Sequence, residues 1–276
     1  MSEATAICGT CPRHCRLAEG ATGFCRARQA KGGQVVCANY GRITSLALDP
    51  IEKKPLTFFH PGSRILSMGS YGCNLRCPFC QNDAISQQGG DDVPWRTATP
   101  VELADLAARL KTQGNIGLAY TYNEPLVGWE FVRDCAREVH ARGLFNVLVS
   151  NGYACAEVVA ELAPLIDAAN IDVKGPSQAY YDWVGGDFEA VCRTVATLHK
   201  AGCHVEVTTL VVPGHNDREA DMDAIAAFVA SVSPDIPLHV TRFFPRWQMM
   251  DTPPTSLAVL HQLADVARRR LHRVVA

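Results

Sequence analysis

The sequence predicts an α/β fold on parallel strands, and three observations carry that expectation. From Arg64 onward, short apolar runs alternate with amphipathic helical text at roughly 25–35 residues per unit, a rhythm that demands parallel strands and right-handed crossovers. The 276 residues, 47% hydrophobic and 20% charged, suit one domain of barrel size with a small appendage. Residues 1–60 break the rhythm: they are rich in Cys, Arg and Gly and lack a long helical period. They read as a Cys-rich N-terminal cap on a domain spanning 61–276.

The elements follow in order. Ile65-Leu66-Ser67-Met68 is an apolar strand running into Gly69. A helix is predicted over 100–112, with Thr99 as cap, Pro100 in the first turn, Glu102 completing a capping box and Gly114 closing it. Residues 116–121 read as a strand, 126–142 as a helix, 145–149 as a strand and 154–163 as helical. A strand at 169–173 precedes a helix at 187–200 that Asp187 caps and Gly202 ends. A strand at 204–212, a helix at 217–231 capped by Asp217, a strand at 237–243 and a helix at 256–270 complete the set. Six such units fit either an incomplete barrel or an open doubly wound sheet.

Composition excludes several functions. The net charge of −2 gives no basic field for nucleic acid. No apolar run reaches the roughly 18 residues that span a bilayer. The start, MSEATAICGT, has no charged-then-apolar signal pattern, so a cytoplasmic protein is expected. There is no G-x-G-x-x-G after a strand and no G-x-x-x-x-G-K, so nucleotide phosphates are not the obvious ligand.

Chemistry in parallel α/β folds gathers where strands give way to the loops that follow. Here those exits carry Cys73, Cys77 and Cys80, then Asn123-Glu124-Pro125, Ser150-Asn151-Gly152, Asp172 with Lys174, His215, and finally His239 with Arg242. Polar and ionisable groups thus converge on one rim.

Twelve cysteines are unusual for such a chain, and eight lie in the first 80 residues. In a cytosolic protein, clustered cysteines more often bind metal than form disulfides. Cys73-x3-Cys77-x2-Cys80 offers three thiolates on one loop, which can each hold one iron of a [4Fe–4S] cluster and leave the fourth iron open. Structural zinc would want a fourth ligand nearby, and a redox C-x-x-C would leave Cys73 unexplained. Cys8-x2-Cys11-x3-Cys15-x9-Cys25 supplies four thiolates, enough to close a second metal site holding zinc or an auxiliary iron–sulfur cluster; reduced thiols packing a small cap are the plain alternative. Cys37 is a spare. Cys135, Cys155, Cys192 and Cys203 read as small buried hydrophobes.

The C-x3-C-x2-C loop after the first strand, with the aromatic Phe79 before its last cysteine, resembles the radical S-adenosylmethionine (SAM) enzymes over about residues 64–250. The branch it is similar to includes the pyruvate formate-lyase activating enzyme. More narrowly, DPIEKKPLTFFHPG (49–62), YGCNLRCPFCQN (71–82), TYNEP (121–125) and VTRFFP (240–245) together resemble the radical SAM member of the AmmeMemoRadiSam system.

The resemblance implies an incomplete (β/α)6 barrel. It also implies a [4Fe–4S] cluster that reductively cleaves SAM, releasing methionine and a 5′-deoxyadenosyl radical that takes hydrogen from an unidentified substrate. A reductant such as flavodoxin or ferredoxin is implied, with functional association to Memo-type and AMME-type proteins.

Asn123 and Glu124 occupy the place of a Gly-Gly-Glu-Pro segment that contacts the SAM ammonium, with Tyr122-Asn123 standing for the two glycines. Pro125 alone would suit a plain helix start. Ser150 and Asn151 are candidates for the ribose or methionine end, or simply form an N-G turn. Asp172 and Lys174 alternate onto one strand face and contact SAM or pair with each other. His215 is a further SAM-side candidate; His239 and Arg242 are substrate-side candidates. Glu52-Lys53-Lys54 reads as a solvated charge run, singled out only by its place in the resemblance. Two rivals accompany this reading: a glycyl-radical activase with a protein substrate, and a non-catalytic metal-binding or electron-carrying module.

Overall fold

The computed structural model describes residues 5–276. Its centre is one eight-stranded sheet formed by β1 (Ser45–Pro50), β2 (Arg64–Gly69), β3 (Asn115–Tyr120), β4 (Phe145–Ser150), β5 (Ala168–Asp172), β6 (His204–Val211), β7 (Leu238–Arg242) and β8 (Val274–Val275). The strands lie side by side in chain order. All neighbours are parallel except β1, which pairs antiparallel with β2 from Ser45↔Gly69 to Pro50↔Arg64.

This order decides between the two arrangements the sequence leaves open. A doubly wound sheet reverses its winding at a switch point. Here the winding never reverses, so the helices α1 (Pro100–Arg109), α2 (Trp129–His140), α3 (Ala156–Leu162), α5 (Phe188–Lys200), α6 (Glu219–Val232) and α7 (Leu257–Arg268) cover one face. The other face curls into an incomplete barrel of six long parallel strands, β2 to β7, with a Cys-rich N-terminus.

Strand alternation sorts the two faces. Leu66, Met68, Leu118, Tyr120, Leu148, Ile171, Val207 and Val240 join the main core under the helices. The opposite parity points into the barrel, where Ile65, Ala119, Val147 and Ala168 pack with Ile51 and Leu56. Ile51 and Leu56 are fully buried, so the segment joining β1 to β2 fills the bottom of the barrel.

Most helix caps follow from the sequence. Thr99 Oγ1 accepts from the Glu102 N–H at 3.2 Å, and the Glu102 carboxylate accepts from the Thr99 N–H at 2.8 Å, closing the capping box. Asp187 accepts from the Ala190 N–H at 2.7 Å, and Ser256 from the Val259 N–H at 3.2 Å.

Several details differ. Asp217 does not cap its helix: α6 starts at Glu219, while Asp217 accepts from the Gly214 N–H at 3.0 Å. Asn216 pulls that loop inward by accepting from the Val212 N–H and donating to the Lys174 and Leu210 carbonyls. The helix predicted at 126–142 opens as a tight turn at Pro125–Gly128 and becomes α-helical only over Trp129–His140. Edge strands β1 and β8 and helix α4 (Gln178–Val184) add to the predicted set.

The cap is a set of small antiparallel pairings: Ala6–Ile7 with Arg16–Leu17, and Arg28–Lys31 with Gln34–Cys37. Strand β1 lies within the stretch 1–60 yet joins the barrel sheet. No helix among the described residues is long and apolar enough to cross a membrane.

Candidate active site

A cavity of about 370 Å³ opens at the carboxyl ends of the strands, within the roughly 300–1,000 Å³ range of small-molecule sites. Cys73, Cys77, Cys80, Phe79, Asn123, Glu124, Ser150, Asn151, Asp172, Lys174 and Arg242 all line it. Groups far apart in the sequence share one space because each follows or ends a parallel strand.

The loop after β2 presents the thiols. Cys73 Sγ receives the Leu75 N–H at 3.4 Å and the Asn151 side-chain amide at 3.6 Å. Cys80 receives the Asn82 N–H. Burial pushes the Cys77 thiol up to about 12, with the nearby Lys174 ammonium pulling the other way, and burial raises Cys73 and Cys80 as well. The unliganded thiols are thus held neutral, and metal binding would expel their protons.

Among the described residues, no three His, Cys, Asp or Glu side chains converge on a single metal ion. Three thiols on one loop, backed by N–H donors and open to a cavity, suit instead the all-thiolate donor set of an iron–sulfur cluster.

Glu124 is the acid at the exit of β3 and is only 3% exposed. Its carboxylate accepts from the Leu126 N–H at 2.9 Å, Ser150 Oγ at 2.7 Å and the Asn151 N–H at 2.8 Å. Burial lifts its carboxyl to about 7 against those three donors. A carboxylate offers about four acceptor positions, so one remains for a ligand cation. Ser150 and Asn151 are held in place through this acid.

Asn123 is largely spent on the loop before the cysteines: it accepts from the Ser70 N–H and donates to the Tyr71 and Gly72 carbonyls at 3.1 Å. Asp172 and Lys174 form an ion pair at 2.8 Å on the cavity wall. Burial alone would depress the lysine, but the paired Asp172 carboxylate outweighs it and keeps Lys174 charged.

Tyr122, at a position the resemblance matches to glycine, has φ of 72°. It adopts the left-handed conformation a glycine would take, which costs a non-glycine residue about 1–3 kcal/mol. Its ring lies against Gly69, where an added β-carbon would stand 2.9 Å from the Tyr122 side chain. Its hydroxyl donates to Asp49 Oδ2 at 2.6 Å.

Asp49 also binds Lys54 at 2.8 Å and Lys53 at 3.2 Å, and Lys54 Nζ sits 4.5 Å from the Tyr122 ring centroid. Lys54 is buried and lines the cavity, so the stretch is not simply a solvated run. Charge patterning alone cannot see the barrel interior; only the 49–62 resemblance marks it.

Two histidines lie elsewhere. His215 stacks on Trp183 at 3.8 Å and is not among the cavity-lining residues. Trp183 in turn packs on Phe79 at 5.5 Å, so His215 reaches the cysteine loop only through two rings. His239 points to the barrel bottom, 2.6 Å from Glu206.

The chain is similar to several known proteins. A sequence profile described as the Radical SAM superfamily matches residues 68–226. An uncharacterised protein of Methanocaldococcus jannaschii is 40% identical over 261 residues, covering 94% of this chain and 77% of its own. The pyruvate formate-lyase 1-activating enzyme of Escherichia coli is 25% identical over 172 residues, covering 61% of this chain and 69% of its own. A crystal structure of a radical SAM methyltransferase from Sphaerobacter thermophilus superposes with a TM-score of 0.58 at 17% identity, over 79% of this chain and 67% of the other; it speaks to the fold alone.

Proposed function

The chain belongs to the Radical SAM superfamily, and from that premise we propose that Cys73, Cys77 and Cys80 hold its [4Fe–4S] cluster beside a SAM site in the same cavity. The carrying observation is that the three thiols line one cavity together with Glu124, Asp172 and Lys174. When bound, the reduced cluster supplies one electron for breaking a carbon–sulfur bond of SAM. The chain's own residues bind, orient and seal.

Glu124 receives the SAM ammonium on its free acceptor position and fixes Ser150 and Asn151 around the methionine end. Lys174, kept charged by Asp172, faces the SAM carboxylate. Asn151 donates toward Cys73 Sγ and steadies the cluster edge. Phe79, packed on Trp183, backs the cysteine loop. Lys54 and Tyr122, tied together through Asp49, also line the cavity and narrow the route for water. Arg242, whose Nε donates to the Thr255 carbonyl, edges the space left for substrate.

Within the superfamily we assign the chain to the AmmeMemoRadiSam type, acting in the cytoplasm with a one-electron reductant and in association with Memo-type and AMME-type proteins. The four quoted segments, DPIEKKPLTFFHPG, YGCNLRCPFCQN, TYNEP and VTRFFP, support that assignment. A second reading, a glycyl-radical activase, is favoured by the similarity to the E. coli activating enzyme; a glycine-centred radical generated in a partner protein would select it.

The test of the shared chemistry is anaerobic reconstitution with iron and sulfide. The protein then cleaves SAM to 5′-deoxyadenosine under a strong reductant, and Cys77→Ala abolishes that cleavage. Cleavage at the wild-type rate in Cys77→Ala contradicts the assignment.

A further inference from the structure

The cap brings together four more thiols that the catalytic cavity does not use. The Cys8 N–H donates to the Cys15 carbonyl at 3.0 Å, closing the first cap hairpin over Cys11. Cys8 and Cys15 both lie within electrostatic reach of Cys11, and Cys11 and Cys8 within reach of Cys25. Cys8, Cys11 and Cys25 are at most 7% exposed, and all four are free thiols.

Their sulfurs are furnished like those of the catalytic loop. Cys11 receives the Arg13 N–H and Cys25 the Ala27 N–H, each from two residues ahead. Cys73 and Cys80 receive Leu75 and Asn82 in the same register. Such donors stabilise thiolate over thiol. The spacing Cys8-x2-Cys11-x3-Cys15 is that of Cys73-x3-Cys77-x2-Cys80 run backwards, with Cys25 as a fourth ligand.

A second, independent observation is unbalanced positive charge. Arg13 and Arg76 both stack on the Phe24 ring, at 3.6 and 4.0 Å. Arg13 Nε and Arg26 Nη1 are buried with no hydrogen-bond partner. Neutral thiols do little to offset three guanidinium groups; a thiolate-ligated centre carries the negative charge they lack.

We propose that Cys8, Cys11, Cys15 and Cys25 hold a second [4Fe–4S] cluster, closed by four thiolates and bordered by Arg13, Arg26 and Arg76. Cluster rather than zinc is favoured by the spacing that mirrors the catalytic triplet and by the matching N–H donors on its thiols. The second centre adjoins the first. The Cys25 carbonyl abuts Gly72, where an added β-carbon would collide with it. Asn74 bonds Cys11 and accepts from Asn151 at 3.0 Å, and Asn151 reaches Cys73.

The test reads metal, not turnover. After anaerobic reconstitution the wild-type chain holds roughly eight irons, and the variant Cys73→Ala/Cys77→Ala/Cys80→Ala keeps roughly four with equal sulfide, as a closed four-thiolate cluster requires. Its iron–sulfur absorption is insensitive to SAM. Cys11→Ser/Cys25→Ser keeps only the SAM-responsive half. Roughly four irons in the wild type and none in the triple variant overturn the proposal, as does zinc in place of iron in the triple variant. Should the triple variant fold poorly, the wild-type count alone still decides. Retained iron without any SAM response in the wild type leaves this proposal standing and sinks the catalytic one.

Discussion

Glu206→Gln is the perturbation whose outcome the fold dictates most clearly. Glu206 lies on β6, facing into the barrel, and its side chain is fully buried. Oε1 accepts from the Phe58 N–H at 2.8 Å and faces His204 Nε2 at 2.9 Å; Oε2 accepts from the Thr57 N–H at 3.1 Å and faces His239 Nε2 at 2.6 Å. One carboxylate thus ties the segment that fills the barrel bottom to β6 and β7. Burial works against its charge, but His204, His239 and the Phe58 N–H prevail and hold the carboxyl down at about 2 against an ordinary 4.5.

A depressed carboxyl stabilises the fold fully above the unfolded value, and that stability is lost as pH falls toward the folded one. The difference of about 2.5 pH units corresponds to about 3 kcal/mol at neutral pH, of which about 1.4 kcal/mol is gone by pH 3.5. Urea denaturation at pH 7 and pH 3.5 reads this directly. The wild type should lose about 1.4 kcal/mol more than Glu206→Gln across that interval, and the variant should be the weaker at pH 7. An identical drop in both proteins refutes the reasoning.

Tyr122→Phe removes the 2.6 Å bond to Asp49 while keeping the ring on Gly69, and should cost about 1.5–3 kcal/mol in denaturant, the usual worth of a bond to a charged group; a loss below about 0.5 kcal/mol contradicts this. Gly72→Ala meets the Cys25 carbonyl and a φ of 87°, whereas Gly214→Ala has a φ of 77° but nothing within 4 Å. The first should lose about 1–3 kcal/mol more than the second, the cost of overpacking alone, and equal losses would show that the cap does not press on the cysteine loop. The Glu124 carboxyl is raised to about 7, so its burial lowers stability as pH climbs from about 4.5 to about 7, where the unfolded chain ionises first. A SAM cation binds the ionised form better, so SAM affinity should rise between pH 6 and 8 in the wild type and stay flat in Glu124→Gln; parallel profiles rule out the contact.

Much of the fold is legible in the sequence because it is periodic. Apolar runs and caps such as Thr99, Asp187 and Ser256 are local signals, and the rim residues follow from where strands end. What escapes depends on contacts between distant segments. Lys54 reads as solvated until β1 and β2 bury it beside Asp49 and Tyr122. His239 looks like a rim residue, but strand alternation and Glu206 turn it to the barrel bottom. Asp217 looks like a cap, yet Asn216 draws the chain toward the Lys174 carbonyl and the helix starts later. The two-residue β8 and the edge strand β1 are too short or too irregular to mark themselves.

The proposed chemistry rests on three thiolates leaving one iron free for SAM, and low-temperature electron paramagnetic resonance of the reduced protein probes that iron itself. With the cap thiols replaced in Cys11→Ser/Cys25→Ser, a single reduced-cluster signal should remain, and adding SAM should shift it. A signal that SAM leaves unchanged would show that no iron is open to the cofactor.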